Sequence, residues 1–267
     1  MCDGKVFDFA SLPCPAVMGI LNVTPDSFSD GGRYFGVDAA LARALEMQAQ
    51  GADIIDLGGQ STRPGAAYLD AEEEIGRIAP VLDALRGVVS VPISVDSFHS
   101  AVAEYALEHG ASIVNDVSGM AAEEMCRIVR LHGAGWIIMH NPGGQGGAAA
   151  GAEYPNGVVA AVREFFSSVL TRLSPAVPEG SLIFDPGFGF CKNFEEQMEL
   201  LRSLDELGQG LLVGLSRKRF VRELFGAQGE SELDIASAAL HALAAKNGAK
   251  IIRTHNVVLT RKVLALL

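Results

Sequence analysis

The side chains of this sequence that could do chemistry recur at one kind of place, the polar end of a short apolar run. Asn22, Asp56, Asp96, Asn115, Met139, Asp185, Ser216 with Lys218, and Arg253 with His255 each stand at or just after such a run. Asp96, Asn115 and Asp185 supply acceptors and an amide, which suit a flat heterocycle carrying ring N–H and amino donors. Arg63, Lys218, Arg253 and His255 supply positive charge and donors suited to phosphate. Asn22 could lend an oxygen to a hard cation such as Mg2+, which keeps most of its water and shares phosphate oxygens. Taken singly, each residue has an ordinary explanation as a turn former or helix cap. Their recurrence at every run favours one shared site.

Those runs read as strands at Val17–Leu21, Ala52–Leu57, Val91–Asp96, Ser112–Asp116, Gly135–His140, Ser181–Asp185, Gly210–Gly214 and Ala249–Arg253. Between them lie segments with helical spacing: Asp38–Gln50, Ala71–Leu85, Ser100–Glu108, Glu123–Leu131, Val158–Leu173, Glu195–Leu204, Ile235–Asn247, and a last one from Val258. Strand and helix alternate about every 30 residues, the rhythm of βαβ units. Eight such units predict a closed (β/α)8 barrel, an α/β fold in which every strand's C-terminal end faces one mouth. An open doubly wound sheet would call for a Gly-x-Gly-x-x-Gly turn after the first strand, and the sequence has none there. Neither a linker nor a shift in composition divides the chain, so residues 1–267 are expected to form one barrel domain.

Composition narrows the function. The chain is 49% hydrophobic and 20% charged, with 30 glycines, which suits a large core and many strand-to-helix corners. Its 7% aromatic content and net charge of −11 argue against a nucleic-acid partner. The apolar runs are far shorter than the ~20 residues that span a bilayer, and the N-terminus lacks the pattern of a secretion signal, so a cytoplasmic location is expected. Cys2, Cys14, Cys126 and Cys191 have no Cys-x-x-Cys spacing, which indicates neither a disulfide frame nor a zinc site. No serine sits in a Gly-x-Ser-x-Gly elbow, so a hydrolase triad is unsupported. Residue chemistry alone therefore leads to a barrel enzyme that binds a polar heterocycle together with a phosphate.

Several longer motifs sharpen this. Leu21-Asn-Val-Thr-Pro-Asp-Ser-Phe-Ser-Asp-Gly-Gly32 and Asp56-Leu-Gly-Gly-Gln-Ser-Thr-Arg-Pro-Gly65 are the most specific. Ser94-Val-Asp-Ser97, Asn115-Asp-Val-Ser-Gly119, Asp185-Pro-Gly-Phe-Gly-Phe-Cys-Lys192, Ser216-Arg-Lys218 and Arg253-Thr-His255 accompany them. With these motifs the chain resembles, over nearly its whole length, the dihydropteroate synthases of folate biosynthesis, the class that sulfonamides target. The resemblance implies a (β/α)8 barrel that joins 6-hydroxymethyl-7,8-dihydropterin diphosphate to 4-aminobenzoate and releases pyrophosphate, with Mg2+ near Asn22. It implies that Asp96, Asn115, Met139, Asp185 and Lys218 hold the pterin, and that Asn22, Arg63, Arg253 and His255 hold the diphosphate. Phe28, Thr62, Pro64, Phe190 and Ser216 would border the aminobenzoate, with Asp96, Lys218 and Arg63 closest to the chemistry. A homodimer is implied as well.

Three stretches depart from the family pattern. Gln60 stands where the family usually has Glu, and Arg219 where it usually has Ser, close to the expected aminobenzoate carboxylate. Arg219 could pair with that carboxylate or point to solvent. Residues 141–157 differ most. Cys191, beside Phe190, reads as a small filler because the implied reaction needs no thiol. Two other readings share the barrel and the pterin acids: a pterin-binding protein without catalysis, and a methyltransferase passing a methyl group from a reduced folate to a corrinoid. The Asn22–Gly32 motif and the cationic set speak for the synthase.

Overall fold

The structure, a computed structural model, describes residues 6–23, 32–60, 68–144, 152–208 and 210–267. The first half of the chain contributes β1 (Ala16–Asn22), α1 (Gly32–Ala49), β2 (Ile54–Gly58), α2 (Ala71–Leu85), β3 (Ile93–Asp96), α3 (Ser100–Glu108), β4 (Ile113–Asp116) and α4 (Glu123–His132). Then follow β5 (Gly135–Met139), α5 (Val158–Leu173), β6 (Leu182–Asp185), α6 (Phe194–Arg202), β7 (Leu211–Val213), α7 (Arg219–Phe225), α8 (Glu230–Lys246), β8 (Ala249–Thr254) and α9 (Val257–Leu264). The eight strands close into one parallel barrel in chain order, β8 pairing with β1. This is the expected (β/α)8 fold. No described helix is long and apolar enough to cross a membrane.

Successive side chains on a strand point to opposite faces, so residues two apart share a face. Ile54, Ile113, Ile137, Ile183 and Ile251 all pack in one interior cluster with Met18, Leu212 and Phe9. Two residues further along the same strands stand Asp56, Asn115, Met139, Asp185 and Arg253. The barrel interior is thus apolar toward the strand starts and polar toward their ends. Phe7 and Phe9 close the apolar end, and a Cβ on Gly135 would fall 2.8 Å from the Phe7 ring and 2.9 Å from that of Phe9. The alternate residues, among them Ile55, Leu57, Val95, Val114, Trp136, Phe184 and Val213, belong to the outer core beneath the helices.

Three helices differ from expectation by two residues or more at an end, and one helix was not expected. α1 begins at Gly32, not Asp38, and runs through Gly36, whose weak helix propensity disguised the first turn. α7 is an added helix of seven residues with only Phe220 and Val221 buried, too short to show a period. α8 starts at Glu230, ahead of Ile235, because Glu230 and Glu232 suit the positive end of the helix dipole. α6 stops at Arg202, and a separate 3-10 turn follows at Leu204–Leu207.

Candidate active site

Register brings the site together. Asn22, Gly58, Asp96 and Asn115 are neighbours in one row across β1 to β4. A Cβ on Gly58 would crowd Asn22 Oδ1 at 3.3 Å and touch Asp96 Cβ at 3.6 Å. One layer deeper, Asp56 stands beside Ser94. On the far wall Met139 pairs with Asp185.

Arg253 starts at the depth of Met18 and reaches up the barrel axis. Its Nε donates to Asp56 Oδ2 at 2.6 Å and a terminal nitrogen donates to Asp96 Oδ2 at 2.5 Å. Asn115 Nδ2 donates to the same Asp56 oxygen at 3.1 Å. Burial opposes the charge on Arg253, but Asp56 and Asp96 outweigh it and the guanidinium holds its proton beyond its usual range. For Asp96 burial wins: despite Arg253, and with Asp56 adding repulsion, its carboxyl is pushed up to about 7. Asp56 Oδ1, Asp96 Oδ1 and Ser94 Oγ are buried and have no hydrogen-bond partner among the described residues. An unpaired buried polar atom costs ~1–3 kcal/mol, so these are the positions where donors on a ligand gain most.

A second cluster surrounds the loop after β6. Asp185 Oδ1 accepts from the Gly187 amide at 2.7 Å, and burial raises its pKa against the pull of Lys218. Lys218 Nζ donates to the Phe188 carbonyl at 2.5 Å and lies 5.2 Å from the Phe190 ring centre. Burial brings the Lys218 ammonium down to about 8, with Asp185 opposing. Lys192, given no role by sequence reasoning, is buried behind the same loop and donates to three backbone carbonyls.

The third cluster joins the loops after β7 and β8. Ser216 Oγ lies 2.9 Å from His255 Nδ1 and accepts from the His255 amide at 3.1 Å. Between Ser216 and Lys218, Arg217 adopts a left-handed φ of 58°. Its guanidinium grips Asp234 of α8 at 2.7 and 3.0 Å, and Asn256 donates to that carboxylate at 3.0 Å. Asp234 therefore ties the two loops together.

Of the residues expected at the site, Asn22, Asp96, Asn115, Met139, Asp185, Phe190, Ser216, Lys218, Arg253 and His255 stand on these strand ends and the loops that follow. Phe28, Thr62, Arg63 and Pro64 lie outside the described residues. Arg219 is the first residue of α7; its side chain is 86% exposed and pairs with Glu223 at 3.3 Å. Gln60 is buried, and its side-chain oxygen accepts from the Leu69 amide at 3.2 Å, a bond that Glu would also make. Among the described residues no group of three His, Cys, Asp or Glu side chains could hold a metal ion.

Sequence reasoning missed Lys192, Arg217, Asp234 and Glu74. Glu74 is buried in α2, accepts from Ser97 Oγ at 3.1 Å, and is pushed up to about 7 mainly by burial. A signal existed for Glu74, which precedes Ile78 by one helical turn on the buried stripe of α2.

Acids deep in a parallel barrel, with a guanidinium between them and lysine and histidine at the mouth, define a barrel enzyme for a polar, anion-bearing ligand. A family model described as "Pterin binding enzyme" matches residues 18–255, and the chain belongs to that family. A dihydropteroate synthase of Streptococcus pyogenes serotype M6 is 42% identical over 258 residues, covering 94% of each protein. The structure of Xanthomonas albilineans dihydropteroate synthase with 4-aminobenzoic acid superposes with a TM-score of 0.87 at 37% identity, covering 99% of this chain and 95% of that one. The Yersinia pestis dihydropteroate synthase, solved as a sulfonamide drug complex, gives 0.85 at 36% identity, covering 100% and 96%. Within the pterin-binding enzymes, this chain thus falls among the dihydropteroate synthases, which are transferases.

Proposed function

We propose that the protein condenses 6-hydroxymethyl-7,8-dihydropterin diphosphate with 4-aminobenzoate, forming 7,8-dihydropteroate and pyrophosphate. The observation that carries this reading is the fork of Arg253 on Asp56 and Asp96, which leaves one oxygen of each carboxylate buried and without a partner among the described residues. A reduced pterin has the ring N–H and amino donors to meet them, with Asn115, Asp185 and Lys218 completing its polar edge and Met139 packing on its ring. The diphosphate is assigned to Arg253, His255, Asn22 and Arg63. Phe28, Thr62, Pro64, Phe190, Ser216 and, at the rim, Arg219 are assigned to the aminobenzoate.

The reaction is dissociative in this reading. The bond between the pterin's exocyclic methylene and the diphosphate oxygen breaks, and its electron pair leaves with the oxygen. The methylene cation is delocalised into the pterin, and the Asp96 carboxylate stabilises it. The arylamine nitrogen then forms the new C–N bond and gives up a proton to water or the departing diphosphate. An arylamine is nucleophilic without prior deprotonation, so no strong base is required. Asn22 suits Mg2+: it ends β1 at the mouth, where its amide oxygen can serve as one of the few protein ligands that Mg2+ accepts. When bound, the ion would compensate charge on the diphosphate.

The same reading carries a cytoplasmic homodimer without nucleic-acid or membrane partners, and sedimentation would check the dimer. The reaction is tested by incubating the protein with both substrates and Mg2+ and separating products. Equimolar dihydropteroate and pyrophosphate, lost on adding a chelator, support it. Bound pterin diphosphate with neither product would leave a binding protein.

A further inference from the structure

The loop after β6 has a backbone that would not hold itself. Gly187 and Gly189 have φ of 73° and 83°, and Cys191, which has a side chain, sits at 51° in the left-handed region. Such a residue persists only where its surroundings over-determine it. The loop's one backbone bond within itself runs from the Phe190 amide to the Gly187 carbonyl at 3.1 Å.

Side chains supply the rest. Lys192 Nζ donates to the carbonyls of Gly187 and Phe190, both at 3.1 Å, and to that of His140 after β5 at 3.3 Å. An ammonium has three donors, and all three are used on backbone. A Cβ on Gly187 would lie 2.2 Å from the same His140 oxygen, so the two loops meet backbone to backbone at the point that Lys192 pins. From the other side, the Tyr154 hydroxyl donates to the Cys191 carbonyl at 3.1 Å. The strained residue therefore lies between two consecutive gripped carbonyls. Burial lowers the Lys192 ammonium to about 8, against the pull of Asp185, Cys191 and Glu196 and with Lys218 adding repulsion. A charge held at that cost implies a geometric task.

The loop presents the half-buried Phe190 ring beside Lys218. The main chain of Asp185 is held from the barrel, its carbonyl accepting from the His140 amide at 2.8 Å, while its carboxylate accepts from the Gly187 amide of this loop at 2.7 Å. The acids that suit the heterocycle lie deeper in the barrel, so the ring lies on the path of the second, aromatic reactant. We propose that Lys192 and Tyr154 are positioning residues: they hold Phe190 against Lys218 and thereby set the affinity for the arylamine, whereas the heterocycle is held chiefly by Asp96 and Asn115, neighbours on the strands. The inference rests on the proposed reaction.

Lys192→Met keeps length without charge, and Tyr154→Phe removes one hydroxyl; neither residue meets substrate in this account. For each variant, KM for 4-aminobenzoate and kcat are measured by turnover, and the Kd of dihydropterin diphosphate by calorimetry. Lys192→Met should raise KM for aminobenzoate by about tenfold and Tyr154→Phe by about threefold, with pterin diphosphate affinity within about twofold of wild type. Unchanged KM in both variants, or a pterin Kd that rises in step with KM, would overturn the inference. Should Lys192→Met fail to fold, Tyr154→Phe decides alone by the same criterion. Absence of product with the wild-type protein would strike the reaction itself, whereas normal wild-type turnover with unmoved variants strikes only the clamp.

Discussion

Arg253 and Asp96 stand on strands separated by two others, yet a terminal guanidinium nitrogen of one lies 2.5 Å from Oδ2 of the other. The contact does two things at once. It fixes the Asp96 carboxylate so that Oδ1 has no partner among the described residues, and it places a permanent cation just below the mouth. A lysine could not make both arms of this fork, because its ammonium lacks the planar geometry. Arg253→Lys should lower kcat/KM by about a hundredfold, equivalent to ~3 kcal/mol, and should lower the melting temperature because Asp56 loses a buried partner. Steady-state kinetics and calorimetry on the same variant check both effects.

The acid-base state of the site predicts a narrow pH optimum. Asp96 becomes a carboxylate as pH rises through about 7, which should raise kcat/KM for the pterin diphosphate. Lys218 loses its proton as pH rises through about 8, which should lower it. The expected profile is a bell centred between these values. In Lys218→Arg the alkaline limb should move beyond the measurable range, while the acid limb stays.

Glu74 should make folding stability fall with pH. Its folded pKa of about 7 lies above the ordinary 4.5, so between those values the folded protein binds more protons than the unfolded chain. Stability is therefore lost as pH rises through that window, and below it the carboxyl is neutral in both states. Glu74→Gln should be close to wild type at pH 4 and more stable by about 2–3 kcal/mol at pH 8. Denaturant unfolding at the two pH values measures the difference.

Asp234 joins Arg217 and Asn256 across two site loops without reaching the mouth. Asp234→Ala should cost ~1–3 kcal/mol of stability and lower kcat/KM about tenfold, because Ser216, Lys218 and His255 lose their common anchor. Asp234→Asn keeps one acceptor for Arg217 and should retain most of the activity. Thermal melts and kinetics of the pair separate the two.

Much of the site could be read in the sequence because a barrel turns strand alternation into depth. Ile54 then Asp56, Ile113 then Asn115, and Ile183 then Asp185 each signal an interior face that changes from apolar to polar toward the mouth. What stayed hidden depends on loop conformation and helix docking. Lys192 belongs to the same motif as Asp185, but its three acceptors exist only once Gly187 has turned left-handed against His140. Arg217 reads as one more charge between Ser216 and Lys218, and nothing local pairs it with Asp234, 17 residues further on. Glu74 is masked by Glu72 and Glu73, which with it make the start of α2 look like an ordinary acidic first turn.

The most direct measurement is single-turnover formation of dihydropteroate by wild-type protein and by Asp96→Asn, with enzyme in excess of the dihydropterin diphosphate and with saturating 4-aminobenzoate and Mg2+. Asn keeps the shape and one acceptor oxygen but removes the charge that stabilises the methylene cation. The variant should form product at least a hundredfold more slowly, a loss of about 3 kcal/mol of transition-state stabilisation. A rate within about twofold of wild type would contradict it, because under about 0.5 kcal/mol would then depend on the carboxylate at the centre of the proposed site.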